Sequence, residues 1–340
     1  MKILLTGGVG FIGLKTAKKL VEQGHEVVAL DSLLEQVHQD IESEKAQFPG
    51  KIIVGDVALP ETWENLEGAG AIIHLAAETG TAQSMYETER YRSVNVDGTR
   101  YAAEYAVKWN APLVSLSSRA VYGEGSAERA TKESDPHQPL SVYGETKSEG
   151  EDIVREVVAG KVPATIVRPQ NVIGPGQALH NPYTGVLAAF LARLREGKNL
   201  SVYGDGTQTR DFIHVEDVAD ILIWALTNLP ALDESPRIIN AGSGERITLD
   251  QLAQYSIDAV PGGSEAIIEH VDIKRAGDID HALADMSYAY SLGAPQARWS
   301  AREAIADFIQ KSWKAPGADS SAWETALEEL TERGLAEHND

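Results

Sequence analysis

A glycine-rich turn near the start of the chain is the feature that most restricts its fold. The apolar run 2–6 leads into Gly7-Gly8-Val9-Gly10-Phe11-Ile12-Gly13, and a helical pattern covers residues 11–23. Glycines at positions 7, 10 and 13 permit a tight turn, close approach of a ligand to the backbone, and close packing of helix on strand. The unpaired N–H groups at a helix start bind phosphate. This spacing, between a strand and a helix, predicts a dinucleotide site.

The rest of the first half repeats the alternation of strand and helix. Its short runs are rich in Ile, Val and Leu on both faces, as expected for strands buried between helix layers in a parallel sheet. The predicted strands are 2–6, 26–30, 51–54, 71–75, 113–117 and 164–168, and the predicted helices include 11–23, 95–109 and 146–158. We therefore expect an α/β fold, a doubly wound parallel sheet of the Rossmann type.

Three regions are expected along the chain. Residues 1–170 should form the nucleotide-binding Rossmann domain, with elements near 210–243 returning to it. Residues 171–315, where the texture becomes richer in Pro, Gly and Asn, should form mainly a smaller C-terminal substrate-binding domain. Residues 316–340 read as a linker, an acidic amphipathic helix over 323–334 and a frayed tail.

Composition excludes several classes of function. A formal net charge of −21 argues against nucleic-acid binding, which needs a basic face. The absence of cysteine excludes thiolate nucleophiles, and the nine scattered histidines form no ligand pair, so no metal site is expected. No stretch approaches the ~20 apolar residues of a membrane span, and no signal peptide precedes the first strand. We expect a cytoplasmic protein without membrane contact.

An acid at the end of the second strand indicates which dinucleotide is bound. Asp31 lies 18 residues after Gly13, where a carboxylate accepts hydrogen bonds from the adenosine ribose and repels a 2′-phosphate. No Arg or Lys follows in Ser32-Leu33-Leu34-Glu35, so NAD is favoured over NADP. Capping of a turn is the alternative role for Asp31. Asp56 is equally open to an adenine contact or a turn, and His74 is expected to be a satisfied histidine in a buried strand.

A tyrosine and a lysine four residues apart suggest acid–base chemistry. Tyr143 and Lys147 lie on one face of a predicted helix. The ammonium there would lower the pKa of the phenol from its usual value of about 10. A phenolate beside a nicotinamide can take the proton from a sugar or alcohol hydroxyl.

Taken together, these residues resemble the extended short-chain dehydrogenase/reductase family, in its NAD-dependent nucleotide-sugar epimerase/dehydratase branch. The matching segments span almost the whole chain. They are 6–13, Asp31, Gly55-Asp56-Val57, 74–77, Asn95, Gly98-Thr99, Ser117-Ser118-Arg119-Ala120-Val121-Tyr122-Gly123, 143–147, 168–176, 210–217 and 275–278.

The resemblance implies roles at the reacting centre. Tyr143 would be the acid/base, Lys147 its pKa partner and a ribose ligand, and Ser118 the hydroxyl that shares a hydrogen bond with the reacting sugar oxygen. Asn95 would help hold the active-site helix. The implied cofactor-binding residues are Gly7, Gly10, Phe11, Ile12, Gly13, Asp31, Asp56, Val57, Leu75, Ala76, Ala77, Asn95, Ser117, Tyr143 and Lys147.

The resemblance also implies a nucleoside-diphosphate site. Arg210 and Arg275 would grip the diphosphate, since a forked guanidinium suits phosphate oxygens and so acidic a protein needs a local cation cluster. Asp278 would meet the nucleotide ribose or orient Arg275. Surface salt bridges are the alternative for both arginines. The full implied set is Thr79, Ser118, Asn171, Leu200, Tyr203, Arg210, Arg275 and Asp278, with the segment Leu200–Tyr203 against the base.

The residues after Ser118 bear on the reaction class. Dehydratases of this branch carry an Asp-Glu pair there and decarboxylases a Glu, whereas this chain has Arg119 and Ala120. Neither residue can act as the second base, which leaves epimerisation or simple oxidoreduction. Arg119 would face solvent, have a structural role, or bind a substrate anion. Gln170 replaces an aromatic residue that many 4-epimerases carry before Asn171, which suggests a difference in sugar recognition.

The expected activity is NAD-dependent epimerisation of a UDP- or dTDP-linked hexose, at C4 through a 4-keto intermediate. Residues 170–177 and 277–281 are similar to those of bacterial 4-epimerases that act on deoxyhexose nucleotides. The alternatives are a net nucleotide-sugar reductase or dehydrogenase and a non-catalytic dinucleotide sensor. The resemblance also implies a homodimer, because the helices that match 95–109 and 146–158 pair across a dimer in the family. The apolar residues on their faces here are Ala102, Ala106, Trp109, Ile153, Val154 and Val157.

Overall fold

The computed structural model describes residues 1–183 and 185–338. Its strands are β1 Lys2–Thr6, β2 Glu26–Asp31, β3 Lys51–Val54, β4 Ala71–His74, β5 Leu113–Leu116, β6 Ala164–Pro169, β7 Asn171–Ile173, β8 Leu200–Tyr203, β9 Thr209–Arg210, β10 Phe212–His214, β11 Arg237–Ala241, β12 Ile247–Thr248, β13 Ile268–Val271, β14 Ile273–Arg275 and β15 Ala336–His338.

The α-helices are α1 Phe11–Glu22, α2 Ile41–Gln47, α3 Pro60–Glu64, α4 Thr81–Ser84, α5 Thr88–Arg92, α6 Gly98–Lys108, α7 Val142–Val158, α8 Val186–Arg195, α9 Val215–Thr227, α10 Leu249–Asp258, α11 Ser287–Ser291, α12 Ala301–Ser312 and α13 Ser321–Glu332. A π-helical turn covers Ser93–Asp97, and 3₁₀ turns cover Arg119–Tyr122 and Leu232–Glu234. Residue 184, in the expected substrate-binding domain, and residues 339–340, in the expected tail, lie outside the described residues.

Seven parallel strands form the central sheet. Their order is β11-β6-β5-β4-β1-β2-β3, and each neighbouring pair is parallel. The chain leaves β1 toward β3 on one side and returns to β4 on the other, so β1 and β4 flank the switch point. Ligands of such sheets bind outside the carboxyl ends of the strands at this point. The predicted doubly wound α/β fold is confirmed.

The sheet is buried on both faces. Successive side chains of a strand point to opposite faces, and in these strands the side chains on both faces are mostly apolar. In β1, Ile3 and Leu5 pack in the core that includes α1 and α9. Leu4, which points to the other face, packs in the core that includes α6 and α7. These layers hold the carboxyl edge of the sheet rigid and present the loops that follow the strands.

Apart from the core layers on the two faces of the sheet, a second hydrophobic core lies in the C-terminal half. It is built from α8, α10 and α12 together with β8 and β10, and its large members include Phe190, Phe212 and Phe308. Before this region is complete, the chain returns to the sheet through α9, which packs against α1, and β11, which pairs with β6. The division at residues 170 and 315 stays a prediction.

The C-terminal segment differs from the expected linker and frayed tail. Helix α13 buries Ala326 and Leu330. Strand β15 pairs antiparallel with β14, with Ala336 opposite Arg275. The expectation of a frayed tail is therefore wrong for residues 336–338, which complete a two-stranded sheet.

The helix faces on which a homodimer was expected also contribute residues to the chain's own core. Ala102, Ala106, Ile153 and Val154 are buried within the chain's own core, where α6 and α7 pack against each other and the sheet. These four residues belong to the internal packing, whereas Trp109 and Val157 are only partly buried, and the homodimer stays a prediction. None of the helices in the described part of the chain is long and apolar enough to span a membrane.

A buried histidine ties three elements together beneath the site. His74 Nδ1 lies 2.7 Å from Thr6 Oγ1 and its Nε2 lies 3.0 Å from Thr99 Oγ1, so the expectation of a satisfied histidine is confirmed. Burial lowers its pKa to about 3, and the charge of Lys147 adds to the shift. His74 is therefore neutral over the ordinary range of pH.

This lowered pKa predicts a loss of stability in acid. Between pH 6.5 and about 3, the unfolded chain binds a proton at His74 that the folded chain does not. The free energy of unfolding should therefore decrease as pH falls below 6.5, by up to about 1.4 kcal/mol per pH unit from this residue. Urea denaturation at pH 7, 6 and 5 should show a shallower decrease for His74→Gln than for wild type. Parallel decreases would contradict the assignment.

Candidate active site

The glycine turn between β1 and α1 leaves an open backbone cradle. Gly7 has φ +65°, and a Cβ there would lie 2.8 Å from the Ala76 nitrogen. A Cβ on Gly13 would lie 2.4 Å from the Gly7 carbonyl oxygen. Helix α1 begins after Gly10 without a side-chain cap, so the first-turn N–H groups, including those of Phe11 and Ile12, are left for a ligand. This cradle fits the pyrophosphate of a dinucleotide.

Asp31 closes the cradle at the end of β2. Its Oδ2 accepts a 2.9 Å hydrogen bond from the Val9 N–H and its Oδ1 a 3.0 Å bond from the Leu33 N–H. The turn-capping role left open by the sequence is therefore present, and the same carboxylate is tied to the glycine turn. Its position after β2 also suits a ribose contact.

A histidine that sequence reasoning missed lies beside this acid. His38 Nε2 lies 3.3 Å from Asp31 Oδ1, and its Nδ1 lies 2.5 Å from Glu44 Oε2. Burial lowers the pKa of His38, but the hydrogen bonds to the two carboxylates outweigh burial and raise it above 6.5. The six residues between Asp31 and His38 gave no local signal for this contact.

The loops after β3 and β4 border the same edge. Asp56 Oδ1 accepts a 2.8 Å hydrogen bond from the Ala58 N–H, which gives it the turn role. The Leu75 and Ala76 N–H groups donate to Thr6 Oγ1 at 3.1 and 3.2 Å. This anchoring holds the Leu75-Ala76-Ala77 backbone against the glycine turn. Val57 is buried and packs against Gly98.

Tyr143 and Ser118 meet at the centre of the site. Ser118 follows β5, and Tyr143 lies in the first turn of α7, which Ser141 caps. The Tyr143 N–H donates to Ser84 Oγ at 3.0 Å. Burial raises the pKa of the Tyr143 phenol, and a hydrogen bond with Ser118 opposes that rise. The turn that follows Ser118 also packs closely against the start of α7, since a Cβ on Gly144 would lie 2.7 Å from the Ala120 carbonyl oxygen.

Lys147 lies one turn further along α7 and is buried. Its Nζ donates to the Leu116 carbonyl at 3.0 Å. Burial lowers the pKa of Lys147 to about 8, although Glu151 opposes the shift. Lys147 was expected to lower the pKa of Tyr143. In the structure, burial raises the pKa of Tyr143 and Ser118 opposes that rise, and Lys147 is not among the causes of the shift.

Glu151 is the main site-building residue that sequence reasoning missed. It follows Lys147 at the same four-residue spacing, which was the available signal. Its carboxylate binds Arg168 of β6 through two hydrogen bonds, Arg168 Nε to Oε1 at 2.8 Å and Nη2 to Oε2 at 2.6 Å. Ser117 Oγ also donates to Oε1 at 2.6 Å. The Ser117 hydroxyl therefore belongs to the support of α7.

Asn95 connects the loop after β4 to the active-site helix. Its Nδ2 donates to Thr146 Oγ1 at 3.0 Å and to the Glu78 carbonyl at 3.1 Å, and its Oδ1 accepts from the Glu78 N–H at 2.8 Å. The expectation that Asn95 helps hold α7 is thus confirmed. Asn95 lies in the π-helical turn Ser93–Asp97, an irregularity common at functional sites.

Three arginines form a cation cluster on the substrate side. Arg210 donates to the carbonyls of Thr209, Ile279 and Asp280. Burial lowers the pKa of Arg210 and the charge of Arg275 contributes. Burial likewise lowers the pKa of Arg119 to about 10, with the charge of Arg210 second. The charges of Asp278, Glu124 and Asp280 act on the pKa of Arg210 in the opposite direction, so the cluster contains carboxylates as well as guanidinium groups.

Two expectations about these arginines are decided by their contacts. Arg275 makes a bidentate pair with Asp278, with Nε–Oδ2 at 2.9 Å and Nη2–Oδ1 at 3.1 Å, so Asp278 orients Arg275. Arg119 does not face solvent. Its Nη2 donates to the Gly123 carbonyl within the turn that follows Ser118, which is a structural role, and it lies beside the cluster.

The remaining candidates are placed unequally. Tyr203 lies under the Arg275 guanidinium, 5.2 Å from its ring centroid, and Asn171 is exposed next to β6. Thr79 is exposed, and its carbonyl accepts from Tyr91 Oη. Leu200 is fully buried in the second core, so its side chain cannot contact a nucleotide base; its apolar character at the start of β8 reflects packing.

Gln170 occupies an unusual environment at the end of β6. Gln170 is 5% exposed, yet neither its Nε2 nor its Oε1 has a hydrogen-bond partner among the described residues. A buried unsatisfied amide costs about 1–3 kcal/mol. Because Gln170 and Ser118 follow neighbouring parallel strands, they lie at the same edge of the sheet. In residues 1–183 and 185–338, no group of three or more His, Cys, Asp or Glu could hold a metal ion.

Comparisons with known proteins agree with this architecture. The profile of the NAD dependent epimerase/dehydratase family matches residues 3–242. A dTDP-L-rhamnose 4-epimerase of Burkholderia thailandensis is 33% identical, over 94% of this chain and 96% of that protein. A UDP-N-acetyl-alpha-D-glucosaminuronate decarboxylase of Bacillus cytotoxicus is 30% identical, over 81% and 84%.

A solved structure extends the agreement to three dimensions. The UDP-glucuronic acid 4-epimerase of Bacillus cereus, in complex with UDP-glucuronic acid and NAD, superposes with a TM-score of 0.81 at 25% identity, over 92% of this chain and 98% of that one. Sequence profile, relatives and fold therefore agree, and the chain belongs to the NAD dependent epimerase/dehydratase family.

Proposed function

We propose that the protein is an NAD-dependent epimerase of a nucleotide-diphosphate sugar, acting at C4. The observation that carries the proposal is that the turn after Ser118 packs against the first turn of α7, which carries Tyr143: a Cβ on Gly144 would lie 2.7 Å from the Ala120 carbonyl oxygen. The position after Ser118 holds Arg119 instead of a second acid. The 33% identity to a protein named dTDP-L-rhamnose 4-epimerase supports a dTDP- or UDP-linked hexose as substrate.

NAD fits the cradle that the chain's own residues form. The backbone of the turn 7–13 would hold the pyrophosphate, Asp31 the adenosine ribose, and Lys147 the ribose next to the nicotinamide. When bound, NAD supplies a hydride acceptor that returns the hydride to the sugar. The closeness of Asp31 to the glycine turn leaves a carboxylate where a 2′-phosphate would be repelled.

The hydroxyl pair carries the proton. Tyr143 would take the proton of the sugar 4-hydroxyl, with Ser118 Oγ sharing its hydrogen bond, and would later return that proton. Burial raises the pKa of Tyr143, so the phenol needs a positive charge beside it to ionise. Lys147 is close along the same helix face, and its ammonium form would supply that charge.

The arginine cluster would anchor the diphosphate while the sugar turns. Arg210 spends its hydrogen bonds on backbone carbonyls, so its net charge is not cancelled by a direct carboxylate partner among the described residues. A diphosphate placed among Arg119, Arg210 and Arg275 would relieve their mutual repulsion. In a chain of net charge −21, this local cluster is the feature that attracts an anionic substrate.

Two finer points belong to the same proposal. A cytoplasmic location is proposed, because NAD and nucleotide sugars are cytoplasmic metabolites. A homodimer is also proposed, supported by the resemblance; of the apolar residues named for it, Trp109 and Val157 are partly exposed.

Tyr143→Phe tests the proton transfer. Removing the hydroxyl should lower turnover about 10²- to 10⁴-fold, while bound NAD, measured after denaturation, stays at the wild-type level. The assay is incubation with a panel of UDP- and dTDP-sugars without added NAD, followed by product stereochemistry. Tyr288→Phe, at an exposed tyrosine, is the matched control. Full activity of Tyr143→Phe would refute the mechanism, and turnover only with added cofactor would indicate a net reductase.

Arg210→Met tests the diphosphate site. Loss of hydrogen bonds from a charged group costs about 1.5–3 kcal/mol, so KM for the nucleotide sugar should rise on the order of 10- to 100-fold. Arg302→Met, at an arginine whose side chain is 64% exposed, should leave KM unchanged. An unchanged KM in Arg210→Met would place the diphosphate elsewhere.

Gln170→Met tests whether the unpartnered amide meets the sugar. Because the amide has no partner to lose, the variant should be at least as stable as wild type in thermal unfolding. Loss of one hydrogen bond to the sugar should lower kcat/KM about tenfold. The combination of unchanged stability and unchanged kcat/KM would show that Gln170 does not contact the substrate.

A further inference from the structure

The C-terminal arm, defined here as residues 321–338, ends at the proposed substrate site. Its strand β15 pairs with β14, and Ala336 lies opposite Arg275 in the register. The Ala276 N–H also donates to the Leu335 carbonyl at 2.8 Å. The backbone that carries Arg275 is therefore held from one side by the arm.

The arm makes a second contact through a pair of tyrosines. Tyr183 Oη donates to Glu329 Oε2 at 2.8 Å, and the pKa of Tyr183 is raised by burial first and then by its neighbours Tyr86 and Glu329. The guanidinium of Arg333 lies over the Tyr86 ring, 4.2 Å from its centroid. One face of the arm thus holds Tyr86 and Tyr183, which come from distant parts of the sequence.

The segments that the arm contacts lie against one another. A Cβ on Gly80 would lie 3.3 Å from Tyr183 Cβ, and one on Gly277 would lie 2.9 Å from Thr81 Cγ2. The loop of residues 79–86 is also bound to the active-site helix, since the Tyr143 N–H donates to Ser84 Oγ. The segments 79–86, 181–183 and 275–278, here called the rim loops, therefore lie side by side. The arm touches all three.

The arm has a firm support on its other side. Ala326 and Leu330 are buried, and Trp323 packs against the second core. At the start of α13, the Ser320 N–H and Oγ both donate to the Glu196 carboxylate at 2.7 Å. An element fixed at this end can hold the rim loops in place at the other.

We infer that the C-terminal arm is a positioning element for the nucleoside diphosphate, and that Glu329 is its key residue. The inference rests on the proposed function, because it assigns Arg275 to the diphosphate. Glu329 acts through Tyr183 and Tyr86, and the β14–β15 pairing acts on Arg275. The arm therefore governs affinity for the nucleotide part of the substrate and leaves proton transfer at Tyr143 unchanged.

The test compares two neighbouring glutamates on α13. Glu329→Ala removes the acceptor of the Tyr183 hydroxyl, Glu329→Gln retains an acceptor oxygen, and Glu328→Ala changes an exposed residue of the same helix. UDP and dTDP are titrated calorimetrically into the full-length protein, and kcat, KM, NAD content and thermal stability are measured alongside. Glu329→Ala should raise Kd and KM about tenfold, with kcat within twofold of wild type and NAD content unchanged. Glu329→Gln and Glu328→Ala should resemble wild type.

A second variant keeps the inference testable if Glu329→Ala folds poorly. Tyr183→Phe removes the hydroxyl from the other side of the bond and should raise Kd by a similar factor. Where both single variants fold, the double variant should bind no more weakly than either, since the two share one interaction.

Three results would overturn the inference. They are an unchanged Kd in the single variants, a fall in kcat without a change in Kd, and equal weakening in Glu328→Ala. Failure of the proposed function looks different, because wild type itself would then bind neither UDP nor dTDP.

Discussion

The buried pair of Glu151 and Arg168 is the interaction on which the site depends. Both side chains are 1% exposed, and the two parallel hydrogen bonds join α7 to β6 at the edge where the reaction would occur. Burial alone would raise the pKa of Glu151, but the Arg168 bonds outweigh burial and lower it. Breaking such a pair costs about 3–5 kcal/mol because an uncompensated charge is left inside. Tyr143 and Lys147 keep their places because their helix is fixed by this pair.

Charge is distributed against the overall balance of the molecule. The chain is acidic, yet Arg119, Arg210 and Arg275 lie close enough for their charges to affect one another. Carboxylates near the cluster are directed to specific partners, as Asp278 is to Arg275. The protein therefore bears the electrostatic cost of bringing cations together, and a bound diphosphate would offset it. The proposed diphosphate contact would therefore make affinity depend on the charge of the substrate.

Features that depend on local spacing could be predicted from the sequence, and features that depend on distant packing could not. The glycine turn, the strands of the sheet, Asp31 and the Tyr143–Lys147 spacing are all set within a few residues. By contrast, the role of Glu151 depends on its bond to Arg168, 17 residues away. The role of α13 depends on its contact with Tyr183 and on the pairing of β15 with β14. The same limit explains the errors. Leu200 is hydrophobic because it is a core residue, and sequence alone does not distinguish a core position from a binding position. Residues 336–338 read as a frayed tail because their partner strand, β14, is distant in the sequence.

The turn after Ser118 is where the fold restricts the chemistry. A carboxylate at position 119 or 120 would lie next to the hydroxyl pair and provide a second base. Instead, the Arg119 guanidinium is bonded to the Gly123 carbonyl within its own turn, beside Arg210. A cation there favours anionic oxygens of the substrate and cannot accept a proton. With Tyr143 and Ser118 as the proton-transferring groups at this edge, the arrangement suits a reaction that removes one proton and restores it, and epimerisation meets that condition without consuming the cofactor.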